Sequence, residues 1–436
     1  MADPTPDDDP TTMDRRRFLT SLALGAGGAA VGLTGCSGSG APDSLIGRIA
    51  DDTPEPTPTP IVPDTVTTAG PSDDRVLVVI ELEGGNDGLD TLVPYGDPRY
   101  VDHRPTVGVD LETVLAIDDE VGLNPNLAAL HASGGAVLEG VGMADPDLSH
   151  FESARRWWTG DVTGNATFAT GFLGRVCDQL AGDEPVTGVS IGRGAAPTMR
   201  SDHAVTLSVP DPWAGGGLTA TEWPFAMAAR QGLATIASNP DGSPLQQLAG
   251  ANMTRALDFL DVLGTLPERD VDTYPGSQVS FQLQTCARLL AGETGVRVIH
   301  VPWGSFDTHD DHRGSHDYQL MELDEAIAAF RADLQTLGLA ETTLIATTSE
   351  FGRRPAENAA GTDHGTASTM LLAGPVVAGR HGEAPSLRSL DDDGNLVATI
   401  GMDAYYATLA ESWFGVPAAD VLPGSVAPLE GIVRAA

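Results

Sequence analysis

The stretch RVLVVIEL (residues 75 to 82) limits the possible folds more than any other part of this chain. It is apolar on both alternating faces and rich in β-branched residues, so as a strand it needs cover on both sides, the situation of a central strand in a parallel sheet wrapped by helices. Similar runs recur at GAVLEGVGM (135 to 143), GVRVIHV (295 to 301), TTLIATTS (342 to 349) and TMLLAG (369 to 374). Between them lie segments of helical period. NLAALHASGG (126 to 135) closes on glycine, SHFESARRWWTG (149 to 160) sets Phe151, Ala154 and Trp158 on one side, and QVSFQLQTCARLLAG spans 278 to 292. A further helix steps through Leu320, Leu323, Ile327, Phe330, Leu334 and Leu337. Alternation of this kind predicts one α/β domain over residues 75–430, a doubly wound, largely parallel sheet with helices on both faces. Residues 161–276 are Gly-rich and less periodic, and are expected to form an insertion or cap outside the core.

Upstream, MDRRRFLTSLALGAGGAAVGLTGC runs from a cationic cluster through a weakly apolar stretch to Cys36. The stretch is too short and too Gly-rich to span a bilayer comfortably. It resembles a twin-arginine export signal with Arg15 and Arg16 as the pair, and LTGC resembles a lipobox that would make Cys36 the lipid-modified residue. The expectations are a signal over 1–36, a Pro/Thr/Asp-rich tether over 37–74, and export by the twin-arginine machinery to the cell surface or periplasm, with the lipid anchor as the only membrane contact. The acidic MADPTPDDDP is unusual before such a signal, which makes Met13 an alternative start to Met1. Cys177 and Cys286 remain, either as one disulfide or as two buried thiols.

The formal charge is -37, and all 24 basic residues are arginine. Such a surface repels nucleic acid and anionic headgroups. The GGNDG turn after the first strand lacks the GxGxxG spacing, and a chain without lysine has no P-loop. Chemistry is sought instead at the carboxyl ends of the strands, where open α/β sheets gather functional groups. Those ends carry Asp87, then Asp307 and His309 within GSFDTHDDHRGSH, then Glu350, and finally Asp363 and His364 in the AGTDHGTAS loop. Any one of these is an ordinary turn residue; their recurrence at successive strand ends is the signal. Carboxylates with imidazoles and no paired thiolates suit a divalent ion such as zinc or manganese, or iron, alone or with a harder magnesium or calcium. Asp307 and His309, two apart on an extended exit, point the same way and are the preferred ligands. His312 and His316 are expected to face solvent. Ser149 with Glu152 reads as a capping box, and a hydroxyl at a helix start also sits where an anion is attracted.

Taken together, the twin-arginine leader, VIELEGGNDGLDTLVPY, GLNPNLAAL, LSHFESARRWWTG, GSFDTH, TSEFGRRPAENAAGTDHG and the late VLPG resemble the family called domain of unknown function 1501, exported bacterial proteins similar to the alkaline phosphatase and sulfatase superfamily. The likeness runs from about residue 75 to 425. It implies an alkaline-phosphatase-like fold with a metal-bound nucleophile. Asp87 would be the first metal-binding carboxylate, Ser149 or else His150 the group at the nucleophile position, and Asp307 with His309 part of a metal site, though spaced more closely than usual. Glu350-Phe351 stands where relatives end in Asp-His; His364 would be the last metal-binding histidine, with Asp363 as a substitute ligand. Arg353 or Arg354 would steady negative charge. The implied activity is metal-dependent hydrolysis of a phosphate or sulfate ester, small or polymer-linked. The alternative is a surface-anchored binding protein that keeps the fold without turnover.

Overall fold

The computed structural model of the chain describes residues 74–165, 168–192, 194–209, 224–239, 242–267, 269 and 273–434. Arg15, Arg16, Cys36 and the tether as far as residue 73 lie outside the described residues. In chain order come β1 (Val76–Leu82), the one-turn α1 (Gly88–Thr91), β2 (Ala136–Gly142), α2 (His150–Thr159), α3 (Phe172–Leu180), β3 (Gly188–Ile191) and β4 (Thr206–Val209). Then follow α4 (Pro224–Ala237), α5 (Pro244–Thr265), α6 (Gln278–Ala291), β5 (Val298–Trp303), α7 (His312–Leu337) and β6 (Thr343–Ser349). The hairpin β7 (Gly352–Glu357) and β8 (Thr362–Gly365) leads to β9 (Ser368–Ala373), β10 (Gly379–His381), β11 (Ile400–Gly401) and α8 (Met402–Ala407).

The main sheet has nine strands in the order β10-β2-β9-β6-β1-β5-β3-β4, with β11 also pairing β2. β1 lies between β5 and β6 and is parallel to both. Among the described strands of this sheet only β9 is reversed, running against β2 and β6. The continuous apolar run has the consequence expected of it. Val76, Val78, Ile80 and Leu82 enter one core with Leu283 of α6 and Leu320, Leu323, Ile327 and Phe330 of α7. Leu77 and Val79 enter the opposite core with Trp157 of α2, Phe172 and Val176 of α3, and Tyr405 of α8. Helices therefore cover both faces, as a doubly wound α/β sheet requires. Among the described residues no helix is long and apolar enough to cross a membrane.

Two expectations change, and one left open is decided. Residues 161–276 are not all outside the core: Phe172, Val176, Val189 and Ile191 are fully buried, and β3 joins β5 in parallel while β4 extends the sheet. β3 and β4 have four residues each, too short for an alternating pattern to stand out from a Gly-rich background. Among the described residues, α4 and α5 are left as candidates for a cap. On α2 the buried residues are Ser153, Ala154 and Trp157, whereas Phe151 is 88% exposed. Finally, Cys177 and Cys286 are both free and buried. They lie in different cores on opposite sides of the sheet, so the two-thiol alternative applies, and burial raises both thiol pKa values.

Candidate metal centre

The loops after β1 and β5 are locked together before any functional side chain is placed. Phe306 N donates to the Glu83 carbonyl at 2.7 Å. Gly84 has φ +103°, and a Cβ there would sit 2.6 Å from the Asp307 nitrogen, so only glycine permits this approach. On the other side, Thr362 N donates to the Thr308 carbonyl at 3.1 Å. A buried guanidinium completes the frame. Arg353 of β7 donates to the carbonyls of Gly85 (2.9 Å), Thr362 (2.9 Å), Phe306 (2.9 Å) and Gly84, and to Asp307 Oδ1 at 2.7 Å.

Asp307 is the centre onto which three imidazoles converge. Its Oδ1 lies 3.0 Å from His364 Nε2 and 3.1 Å from His309 Nε2; its Oδ2 lies 3.4 Å from His150 Nε2. His309 Nε2 and His364 Nε2 are 3.1 Å apart. Ligand atoms of His150, Asp307 and His364 all fall within 4.8 Å of one another. The rim is open to solvent, with side-chain exposures of 39% for His150, 37% for Asp307 and 44% for His309.

The outer nitrogen of each ring shows what the inner one offers. His364 Nδ1 is 2.8 Å from the Leu148 carbonyl, which only accepts, so Nδ1 carries the hydrogen. His309 Nδ1 faces Asp363 Oδ1 at 3.2 Å, and His150 Nδ1 faces Glu350 Oε1 at 2.5 Å. With each Nδ1–H donated outward, neutral rings present three bare Nε2 lone pairs to a carboxylate and to each other. Lone pairs at that spacing repel unless a cation lies among them, and imidazoles held through Nδ1 by a carboxylate or carbonyl are the usual arrangement around a metal. The residues fit one divalent ion that His150, Asp307 and His364 would hold, with His309 Nε2 beside Asp307 and His364. Burial pushes the Asp307 carboxyl upward, but the Arg353 guanidinium bonded to it outweighs burial and keeps it below its usual range. Burial raises Glu350 and lowers His364.

Asp87 does not belong to this cluster. It caps α1, with Oδ1 accepting from Leu89 N and Asp90 N at 3.1 Å each. Its Oδ2 lies 2.8 Å from Arg104 Nη1, which is also 2.7 Å from Asp90 Oδ1, all with side chains wholly buried. His312 Nε2 meets Asp90 Oδ2 at 2.9 Å, and Tyr100 donates to Asp90 Oδ1 at 2.7 Å. Asp87, Asp90 and His312 have the proximity of a metal trio, but the Arg104 guanidinium already lies between the carboxylates as their cation. Despite burial, Arg104 keeps both carboxyls below their usual range.

Of the residues proposed from sequence, Asp307, His309 and His364 come together in one cluster. Glu350 and Asp363 lie one step out, each holding an imidazole, because their carboxylates reach the Nδ1 side of His150 and His309. Asp363 and His364 sit on strand β8, not in a loop, with His364 opposite Arg353. His150 changes role, from a position near the nucleophile to the inner cluster. It supplies an imidazole although residue 351 is phenylalanine, whose ring packs 5.1 Å from that of His150 and 4.4 Å from that of His364. Arg353 holds Asp307 and the loops, and its bonds to four carbonyls leave it committed within the protein. Ser149 is exposed and makes no side-chain cap; Glu152 turns to Arg155 and Arg156, so no capping box forms. His312 and His316 are wholly buried, not solvent-facing, with His316 Nε2 3.0 Å from Asn86 Oδ1. Sequence reasoning missed Asp90 and Arg104. The signal available for Asp90 was its position three residues after Asp87, on the same side of a helical turn.

The fold and the cluster define an α/β protein with a histidine–carboxylate centre at the carboxyl edge of its sheet. The family model described as "Protein of unknown function (DUF1501)" matches residues 245–396, a span that holds Asp307, His309, Glu350 and His364. Solved structures similar to the chain include a protein in the alkaline phosphatase superfamily from Vibrio parahaemolyticus, with 11% identity, 80% of this chain and 69% of that one covered, and a TM-score of 0.37. The PsFucS1 sulfatase from Pseudoalteromonas sp. has 13% identity, coverages of 82% and 71%, and a TM-score of 0.34. The lipoteichoic acid synthase LtaP from Listeria monocytogenes has 9% identity, coverages of 81% and 75%, and a TM-score of 0.35. No curated protein matches the chain.

Proposed function

We propose that this protein is a metal-dependent hydrolase of phosphate or sulfate esters, exported by the twin-arginine route and anchored through a lipid on Cys36. The observation that carries the reading is the convergence of three imidazole Nε2 atoms on Asp307, each ring held from behind at Nδ1. Imidazole nitrogens beside one carboxylate favour zinc, manganese or iron over magnesium or calcium, which prefer all-oxygen shells. Such an ion, when bound, polarises the ester and lowers the pKa of a hydroxyl or water beside it. The chain contributes fixed geometry. Arg353 keeps Asp307 ionised, Glu350 and Asp363 aim His150 and His309, and the Leu148 carbonyl sets the His364 tautomer. The open rim admits a small or polymer-linked ester from solution.

A second reading, a surface-anchored binding protein without turnover, draws support from two observations. Phe351 stands where the resemblance expects a metal-binding histidine and packs against the rings of His150 and His364, and Arg353 spends its donors within the protein. Metal analysis of protein purified after export, with a panel of phospho- and sulfo-esters, separates the two. The hydrolase reading expects a bound ion and ester cleavage, both abolished by Asp307→Ala. Metal-free, inert protein rejects it, and a loaded but inert protein favours the binder.

A further inference from the structure

Away from the site, exposed large apolar side chains gather, among the described residues, at α4 and α5. Met227 and Ile236 of α4 are 61% and 74% exposed, and Leu245 and Leu248 in the first turns of α5 are 71% and 58% exposed. From residue 224 to 256 the sequence has one acidic residue, Asp241, beside Arg230 and Arg255, in a chain of net charge -37. Arg230 is itself tied to Asp261. A helix as apolar as PFAMAARQGLATIA is ordinarily covered. Further along α5, Leu257, Phe259 and Leu263 are buried, so the pair is rooted in the domain while, among the described residues, its other end is uncovered.

The chemistry of the patch selects its occupant. A bilayer surface favours helices fringed with Lys or Arg and faced with bulky side chains; this pair has no lysine and many small residues, among them Ala228, Ala229, Gly232, Ala234, Ala249 and Ala251. A basic partner would be drawn to the acidic surface elsewhere. A second copy repels the first everywhere except where acidic residues are missing, and brings a self-complementary patch about a two-fold axis. Small residues allow close helix approach, as already happens within the pair, where a Cβ on Gly250 would lie 2.3 Å from the Ala237 carbonyl. We propose that two copies of this chain pair through their α4–α5 hairpins into a four-helix interface. The proposal stands independently of the hydrolase reading.

Light scattering and sedimentation velocity of the purified chain test it. The expected result is twice the mass of one chain, with association strengthened by added salt because screening removes like-charge repulsion. Ile236→Glu and Leu248→Glu should each halve the mass and leave circular dichroism and metal content unchanged. A monomer at every salt and protein concentration overturns the proposal, as does a dimer indifferent to both substitutions. Monomeric protein that floats with phosphatidylcholine vesicles, and fails to do so once Ile236→Glu is introduced, overturns it in favour of a lipid surface.

Discussion

Arg353 shows how a single side chain decides what the centre is. Its donors serve carbonyls from three segments and Asp307, so it fixes where the carboxylate stands and has no role left in gripping a substrate. Arg353→Ala, by stranding a buried carbonyl set and one carboxylate, should lower unfolding free energy by about 3–5 kcal/mol, measured by urea titration, and should lower metal content with it. Glu350→Gln tests the outer partners differently. The fold should persist, while ion affinity measured by chelator competition drops about 10- to 100-fold, since the carboxylate that aims His150 is lost. His316 supplies a pH prediction. Burial, reinforced by neighbouring His312, lowers its pKa from 6.5 to about 3. A depressed histidine favours the folded state above the unfolded pKa, and that contribution is lost as pH falls, because the unfolded chain takes up the proton first. Stability should decline from near pH 6.5 toward pH 3, by about 1.4 kcal/mol per pH unit while only this group differs. His316→Gln should flatten that limb of the urea-midpoint profile against pH.

Among the elements, the strands with long apolar runs were legible: β1, β2, β5, β6 and β9 fall where continuous hydrophobicity put them. β3 and β4 were not, because four-residue strands in glycine-rich surroundings have no period to read. The helix start at His150 was legible, but not its consequence. That a residue opening α2 meets Asp307 on the loop after β5 depends on how β2 and β5 are spaced in the sheet, with β9, β6 and β1 between them. Gly85 tests the packing of these strand ends. It has φ +89°, and a Cβ there would fall 2.3 Å from the Phe351 ring. Gly85→Ala should therefore displace Phe351, which packs against His150 and His364, and lower metal occupancy more than it lowers the melting temperature.

At the scale of the whole molecule, the sheet separates the two large cores, and its separation of Cys177 from Cys286 has a direct readout. Both thiols should be silent to a thiol reagent in the native protein and react after denaturation. Reducing and non-reducing gels should show the same mobility; a shift traced to these two cysteines would contradict the arrangement. By itself the sequence determined the α/β class, the central strand and the strand ends at which acids and imidazoles collect, because these follow from local hydrophobic period and turn chemistry. Tertiary structure alone decided which of those groups meet. Arg104 reaches Asp87 and Asp90 from outside their turn and makes a closed ion network of what reads as a ligand, while the hairpin β7–β8 and the start of α2 bring His364 and His150 to Asp307. Ligation is a matter of side-chain tips within a few ångströms, and no local pattern along a chain carries distances across a sheet.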